Sequence, residues 1–113
     1  MSYTQKKVDP NAPLWTVYRY SLPDGRSYIG QTSMTLIERA GYNGHRYKKC
    51  VKFWNAIEKY GWDKFTVEVL GDHLTLTEAN ELEASAILEY DSINNGFNCR
   101  PGGDNYIVTE EMR

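Results

Sequence analysis

Residues 15–32 constrain the fold more than any other stretch. "WTVYRYS", Trp15 to Ser21, and "RSYIGQT", Arg26 to Thr32, are short runs rich in β-formers. Pro23-Asp24-Gly25 between them is strong turn chemistry. Two such runs around such a turn predict an antiparallel β-hairpin. In adjacent strands Tyr18 and Tyr28 come within reach of one another, with the ladder register left open.

The rest of the chain supplies helices and one more strand. "TLIERA", Thr35 to Ala40, predicts a short helix after a Thr cap, stopped by "GYNG" at Gly41 to Gly44. "VKFWNAIEKY" sets Val51, Trp54 and Ile57 at helical spacing, with Phe53 and Tyr60 on a neighbouring row and Gly61 as the stop. "FTVEVL", Phe65 to Leu70, alternates as a third strand does. Thr75-x-x-Glu78 is a capping box, and the helix it opens is expected to reach about Tyr90. The order β-β-α-α-β-α predicts an α+β domain, with helices flanking a small, three-stranded, mostly antiparallel sheet. Residues 1–13 read as a loose arm, 14–103 as one domain, and 104–113 as a tail or linker.

The 113 residues suffice for one modest core. No stretch approaches the roughly 18 apolar residues of a membrane span. The N-terminus is charged and lacks the apolar region of a signal peptide, so a cytoplasmic, intracellular location is expected. Cys50 and Cys99 are then expected to be reduced and buried. Together with His45 and His73 they lack the paired spacing of a zinc set. The net charge of −2 argues mildly against a polyanionic partner, but charge is unevenly spread. Residues 15–60 hold eight Lys/Arg and three Asp/Glu, whereas residues 61–113 hold three and eleven. A basic half can dock on phosphate whatever the total. A monomer is the default.

One carboxylate sits in an unexpected place. On a helical wheel Ala79, Leu82, Ala86, Ile87 and Tyr90 form an apolar stripe, and Glu83 falls inside it. Glu81 lies opposite, with Glu78 and Glu89 at the stripe's edge. A buried carboxylate must be paired, reach the rim or stay protonated. Glu83 is thus expected to meet an Arg, to snorkel, or to serve as a metal ligand or acid. A lone carboxylate suits Mg²⁺, which keeps several waters. Arg39, beside Leu36 and Ala40, reads either as an ordinary surface arginine or as a phosphate clamp.

"TVY", Thr16 to Tyr18, followed by "YIG", Tyr28 to Gly30, resembles the GIY-YIG nuclease family. Arg39 after the hairpin, "FWNAIEKYGWDKF" at Phe53 to Phe65, Glu83 in "EANELE" and Asn98 in "GFN" fit the same pattern. The chain departs from it in three places. The first motif begins with Thr16. Gln31 stands where some members carry Lys, and Asn43 stands where many carry His or Tyr. Tyr42, His45 and Tyr47 are alternatives for that last role, with His45 and Tyr47 ranked level.

The resemblance implies DNA phosphodiester hydrolysis with Mg²⁺ or Mn²⁺. Glu83 would hold the metal, and Arg39 would neutralise the phosphoryl oxygens. Tyr18 or Tyr28 would orient or deprotonate water, and Asn98 would fix a neighbouring phenol or loop. Gly30 would let DNA approach closely. Arg46, Lys48, Lys49, Lys52 and Lys59 are candidate phosphate contacts, which position DNA without reading its sequence. The alternative is a non-catalytic nucleic-acid-binding module of the same fold. A third reading makes the tyrosine pair purely structural. Trp15, Trp54 and Trp62 are assigned to packing.

Overall fold

The computed structural model describes residues 12–100. The expected tail, the end of the expected domain and all but the last two residues of the expected arm lie outside the described residues. Strand β1 (Trp15–Ser21) pairs with β2 (Ser27–Thr32) on one side and β3 (Thr66–Leu74) on the other, giving the order β2-β1-β3. Both pairings are antiparallel. Helices α1 (Leu36–Ala40), α2 (Val51–Tyr60) and α3 (Leu76–Glu89) complete the α+β order, with 3₁₀ segments at Tyr42–Tyr47 and Trp62–Lys64.

Capping boxes open α1 and α3. Glu38 N donates to Thr35 Oγ1 at 3.1 Å, and Thr35 N donates to Glu38 Oε1 at 3.1 Å. Thr75 and Glu78 repeat the exchange at 3.2 and 2.9 Å. Each box satisfies two amides at the helix start. α2 has no side-chain cap and depends on its buried face, Phe53, Ala56 and Ile57 with half-buried Tyr60. Val51, expected in the stripe, is instead 58% exposed. It lies about 200° around the helix from Phe53.

Alternation along the strands divides the side chains between two cores. Tyr18, Tyr20 and Tyr28 face one side, where Tyr47, Phe53, Ile57, Phe65 and Phe97 pack on them. Tyr28 stacks flat on Phe53 with ring centroids 4.3 Å apart. Val17 and Ile29 face the other side and meet Ala79, Ala86 and Ile87 of α3. Fully burying a large apolar side chain contributes about 1.5–3 kcal/mol, so the ring cluster is the main source of cohesion.

β3 runs beyond its expected end at Leu70 to Leu74. Its register against β1 shifts between Trp15 and Val17 and again between Val17 and Tyr18. Such bulges carry a strand through residues that read as a turn, here Gly71-Asp72. The expectation of two buried thiols is also corrected. Cys50 is half-buried at the start of α2 and Cys99 is exposed; both are free. Among the described residues no helix is long and apolar enough to cross a membrane.

Candidate active site

The hairpin register places Tyr18 opposite Gly30 and Tyr20 opposite Tyr28. Tyr18 and Tyr28 are therefore diagonal neighbours, with ring centroids 6.5 Å apart. A Cβ at Gly30 would stand 2.3 Å from the Tyr18 Oη and 2.5 Å from its Cζ. The space left by the missing side chain is filled by the Tyr18 phenol, where the sequence reading reserved it for DNA.

A third phenol joins them. Tyr47 Oη donates to Tyr18 Oη at 2.6 Å, and its ring meets Tyr28 edge to face at 5.5 Å. Arg39, projecting from α1, lays its guanidinium 4.2 Å from the centre of the Tyr47 ring. Its Nη1 donates to Arg46 O at 3.1 Å. A guanidinium carries five N–H donors, so the group keeps capacity for an anion. Tyr28 Oη lies 3.5 Å from Cys50 Sγ.

Of the three alternatives for the position after Arg39, Tyr47 enters this cluster. His45 is turned aside, with Nδ1 2.5 Å from Tyr42 O and its ring against Trp54. Tyr42 is exposed.

Burial dominates the electrostatics. Tyr18 is 1% exposed and Tyr47 is 0% exposed. Desolvation pushes the Tyr18 phenol well above its ordinary range, although the Tyr47 hydrogen bond and Arg39 pull it down. Desolvation likewise raises Tyr47, with the Tyr18 contact adding to it and Arg39 opposing. Tyr28 is raised first by burial, then by Cys50 and Tyr47, again against Arg39. One cation does not overcome the cost of a phenolate in this environment. All three phenols are neutral at pH 7 and work as hydrogen-bonding groups.

Glu83 lies where the wheel placed it, 6% exposed in the stripe with Ala79, Ala86 and Ile87. That stripe covers the Val17/Ile29 face of the sheet, so α3 stands across the sheet from the phenols. β2 is shared between them. Gly30 lies beneath Tyr18, while Gln31 Nε2 donates to Asn80 Oδ1 of α3 at 2.9 Å. The structure thus brings Tyr18, Tyr28, Tyr47 and Arg39 together on one face of the sheet and places Glu83 with α3 on the other, so the acid does not join the phenols and the guanidinium in one cluster.

Gln31 Oε1 is buried with no hydrogen-bond partner among the described residues. No three His, Cys, Asp or Glu side chains among the described residues are grouped to hold a metal. Mg²⁺ asks less, because one or two protein oxygens suffice beside its waters. The Glu83 carboxylate and an uncommitted amide oxygen on the strand facing α3 fit magnesium in donor chemistry.

Asn98 clamps the free edge of β2. Its Oδ1 accepts from Ile29 N at 2.8 Å and its Nδ2 donates to Ile29 O at 2.9 Å. Phe97 N also donates to Ser27 O at 2.8 Å. The chain after α3 thereby satisfies edge groups that another strand would otherwise seek. Asn98 fixes the backbone between Tyr28 and Gly30, where the sequence reading gave it a phenol or a loop.

Lys52 has a role that sequence reading missed. Its Nζ donates to Ile93 O at 2.6 Å and to Asn98 O at 3.0 Å, which commits it to holding that loop. Among the other expected phosphate contacts, Arg46 Nη1 donates to Glu38 O at 3.1 Å. Lys48 lies over Trp54, Lys59 lies over Tyr60, and Lys49 is exposed. No family model, curated protein or solved structure matches the chain.

Proposed function

We propose that this chain is a divalent-metal-dependent DNA endonuclease of the GIY-YIG type. The observation that carries the reading is the Arg39 guanidinium seated over Tyr47, beside Tyr18 and Tyr28, on one face of a sheet whose other face meets the helix bearing buried Glu83. Phosphodiester hydrolysis builds negative charge on the phosphoryl oxygens, and a fixed guanidinium stabilises that charge without reorganising. The Arg39 N–H groups not bonded to Arg46 O are the clamp. Tyr28, the least buried of the three phenols, orients the attacking water. Tyr18 and Tyr47 hold Tyr28 and Arg39 in place.

The phenols are positioning groups and not bases, because burial keeps them protonated. Mg²⁺ or Mn²⁺ bound by Glu83, with Gln31 as a second oxygen donor, would supply Lewis-acid stabilisation and a more acidic water. Lys48 and Lys49, close to Arg39 in sequence, supply backbone phosphate contacts.

A second reading keeps the surface and removes the chemistry. Full burial of Tyr18 and Tyr47 favours it, since neither reaches solvent. The chain would then bind nucleic acid without cutting it. Incubation with supercoiled plasmid in Mg²⁺ or Mn²⁺ separates the two. The nuclease converts it to nicked circles, and a chelator stops the conversion. Retention of plasmid in the presence of chelator, with no nicking under either metal, selects the binding module.

A further inference from the structure

We infer that a cavity beside α2, apart from the Arg39 cluster, binds an organic cation through its guanidinium or alkylammonium group. The cavity, of about 370 Å³, opens where α2 meets the two 3₁₀ segments. That is the size of a small-ligand site. Its walls are the indoles of Trp54 and Trp62 with His45 and Ile57, and Glu58 and Asp63 line it as well.

Local structure holds the aromatic walls in place. Trp62 backs onto the phenol cluster, with its ring centroid 4.9 Å from Tyr20. A Cβ at Gly44 would stand 2.6 Å from Trp62 Cε3 and 3.2 Å from Ile57 Cδ1, so the ring needs glycine there. Gly44 also takes φ 78°, which glycine adopts at little cost. The His45 ring meets Trp54 edge-on at 5.2 Å. Lys48 Nζ lies 5.8 Å from the Trp54 ring centre, so a bound cation competes with that ammonium for the ring and depends on Trp62 and the acids for the rest of its hold.

The acids give the cavity its selectivity. Glu58 and Asp63 are exposed and have no hydrogen-bond or ion-pair partner among the described residues. Indole faces and carboxylates both attract a positive head group, so the two effects reinforce each other. The same carboxylates repel phosphate, which sets this cavity apart from the basic surface around Arg39. The cation's source is either a free small molecule or the tip of an Arg or Lys side chain on a partner protein.

The test is titration of the full chain, followed by the indole N–H resonances of its three tryptophans. The probes are agmatine, an arginine-containing neutral-capped peptide, an uncharged agmatine analogue and guanosine. Saturable shifts at Trp54 and Trp62, with Trp15 unmoved, are expected for agmatine, the peptide or both. Tighter binding by the peptide assigns a protein side chain; tighter binding by agmatine assigns a free cation. Glu58→Gln and Asp63→Asn should each weaken binding about two- to fivefold, the range of an exposed ion pair, with circular dichroism unchanged. Four results would each overturn the inference: non-saturable shifts, equal shifts at Trp15, equal binding of the uncharged analogue, or variants that bind as tightly as the original chain. Saturation by guanosine but not by the cations would make the cavity a nucleobase site instead. None of these outcomes depends on whether the chain cuts DNA.

Discussion

The Tyr47 hydroxyl donates a 2.6 Å hydrogen bond to the Tyr18 hydroxyl, and both groups are shut away from water. The pair ties the 3₁₀ segment after α1 to the central strand. It also fixes the ring on which Arg39 rests. The candidate site is therefore held by a buried polar contact at the bottom of an aromatic cluster.

Tyr47→Phe removes the donor and leaves the Tyr18 hydroxyl buried with one partner fewer. A stability loss of about 1–3 kcal/mol is expected, measured as a lower urea midpoint. The double variant Tyr18→Phe/Tyr47→Phe should lose less than the sum of the singles, because no orphaned hydroxyl remains. Strict additivity would show that the hydrogen bond contributes nothing.

Alkaline pH reads the same cluster. The folded pKa values of Tyr18, Tyr28 and Tyr47 are raised above the unfolded value near 10, so their neutral forms favour the fold. Their contribution is complete below about pH 10 and is lost progressively above it, at about 1.4 kcal/mol per pH unit for each phenol. Unfolding free energy should be insensitive to these groups between pH 7 and 9 and then fall steeply. In absorbance at 295 nm, part of the tyrosine signal should appear only when the chain unfolds. Smooth titration of all nine tyrosines in the native state would contradict the burial account.

Gly30→Ala places a Cβ on the Tyr18 phenol, and the ring has Tyr47 and Tyr20 against it. Overpacking of this kind costs about 1–3 kcal/mol. Thermal melts should register the loss, and indole or phenol ring shifts should locate it at Tyr18. An unchanged melting temperature would mean that the ring moves aside freely.

Much of the fold was legible in local chemistry. The Thr35/Glu38 and Thr75/Glu78 boxes and the Pro-Asp-Gly turn all act within a few residues, so their signals survive in one dimension. Glu83 was legible too, because helical periodicity alone puts it among alanines. Four features depend on the folded chain and were not legible. The bulges that extend β3 past Gly71 arise from its register against Trp15 and Val17. The face of α2 was misplaced at Val51 because the aromatic core selects the Phe53/Ala56/Ile57 row. Lys52 looks like any surface cation until the fold brings it to carbonyls 41 and 46 positions away. The choice of Tyr47 over His45 likewise needed the backbone path through Asn43 and Gly44, both at positive φ.

Asn98→Ala should expose the consequence of that long-range clamp. It removes both side-chain bonds to Ile29, at a cost of about 1–3 kcal/mol if the edge groups find no replacement. Hydrogen exchange at the Ile29 amide should quicken. Lys52→Met should loosen the loop that carries Asn98 and raise exchange at the same amide by a smaller factor. Unaltered protection at Ile29 in both variants would contradict the clamp.

The nuclease proposal stands or falls on the plasmid-nicking rates of Arg39→Lys and Glu83→Gln beside the original chain, in Mg²⁺, with melting curves taken on the same samples. If guanidinium and carboxylate both serve phosphodiester hydrolysis, each variant should cut about a hundredfold more slowly or worse while still folding. Nicking within about threefold of the original by either folded variant, too small a loss for a charge-stabilising group, would contradict the account.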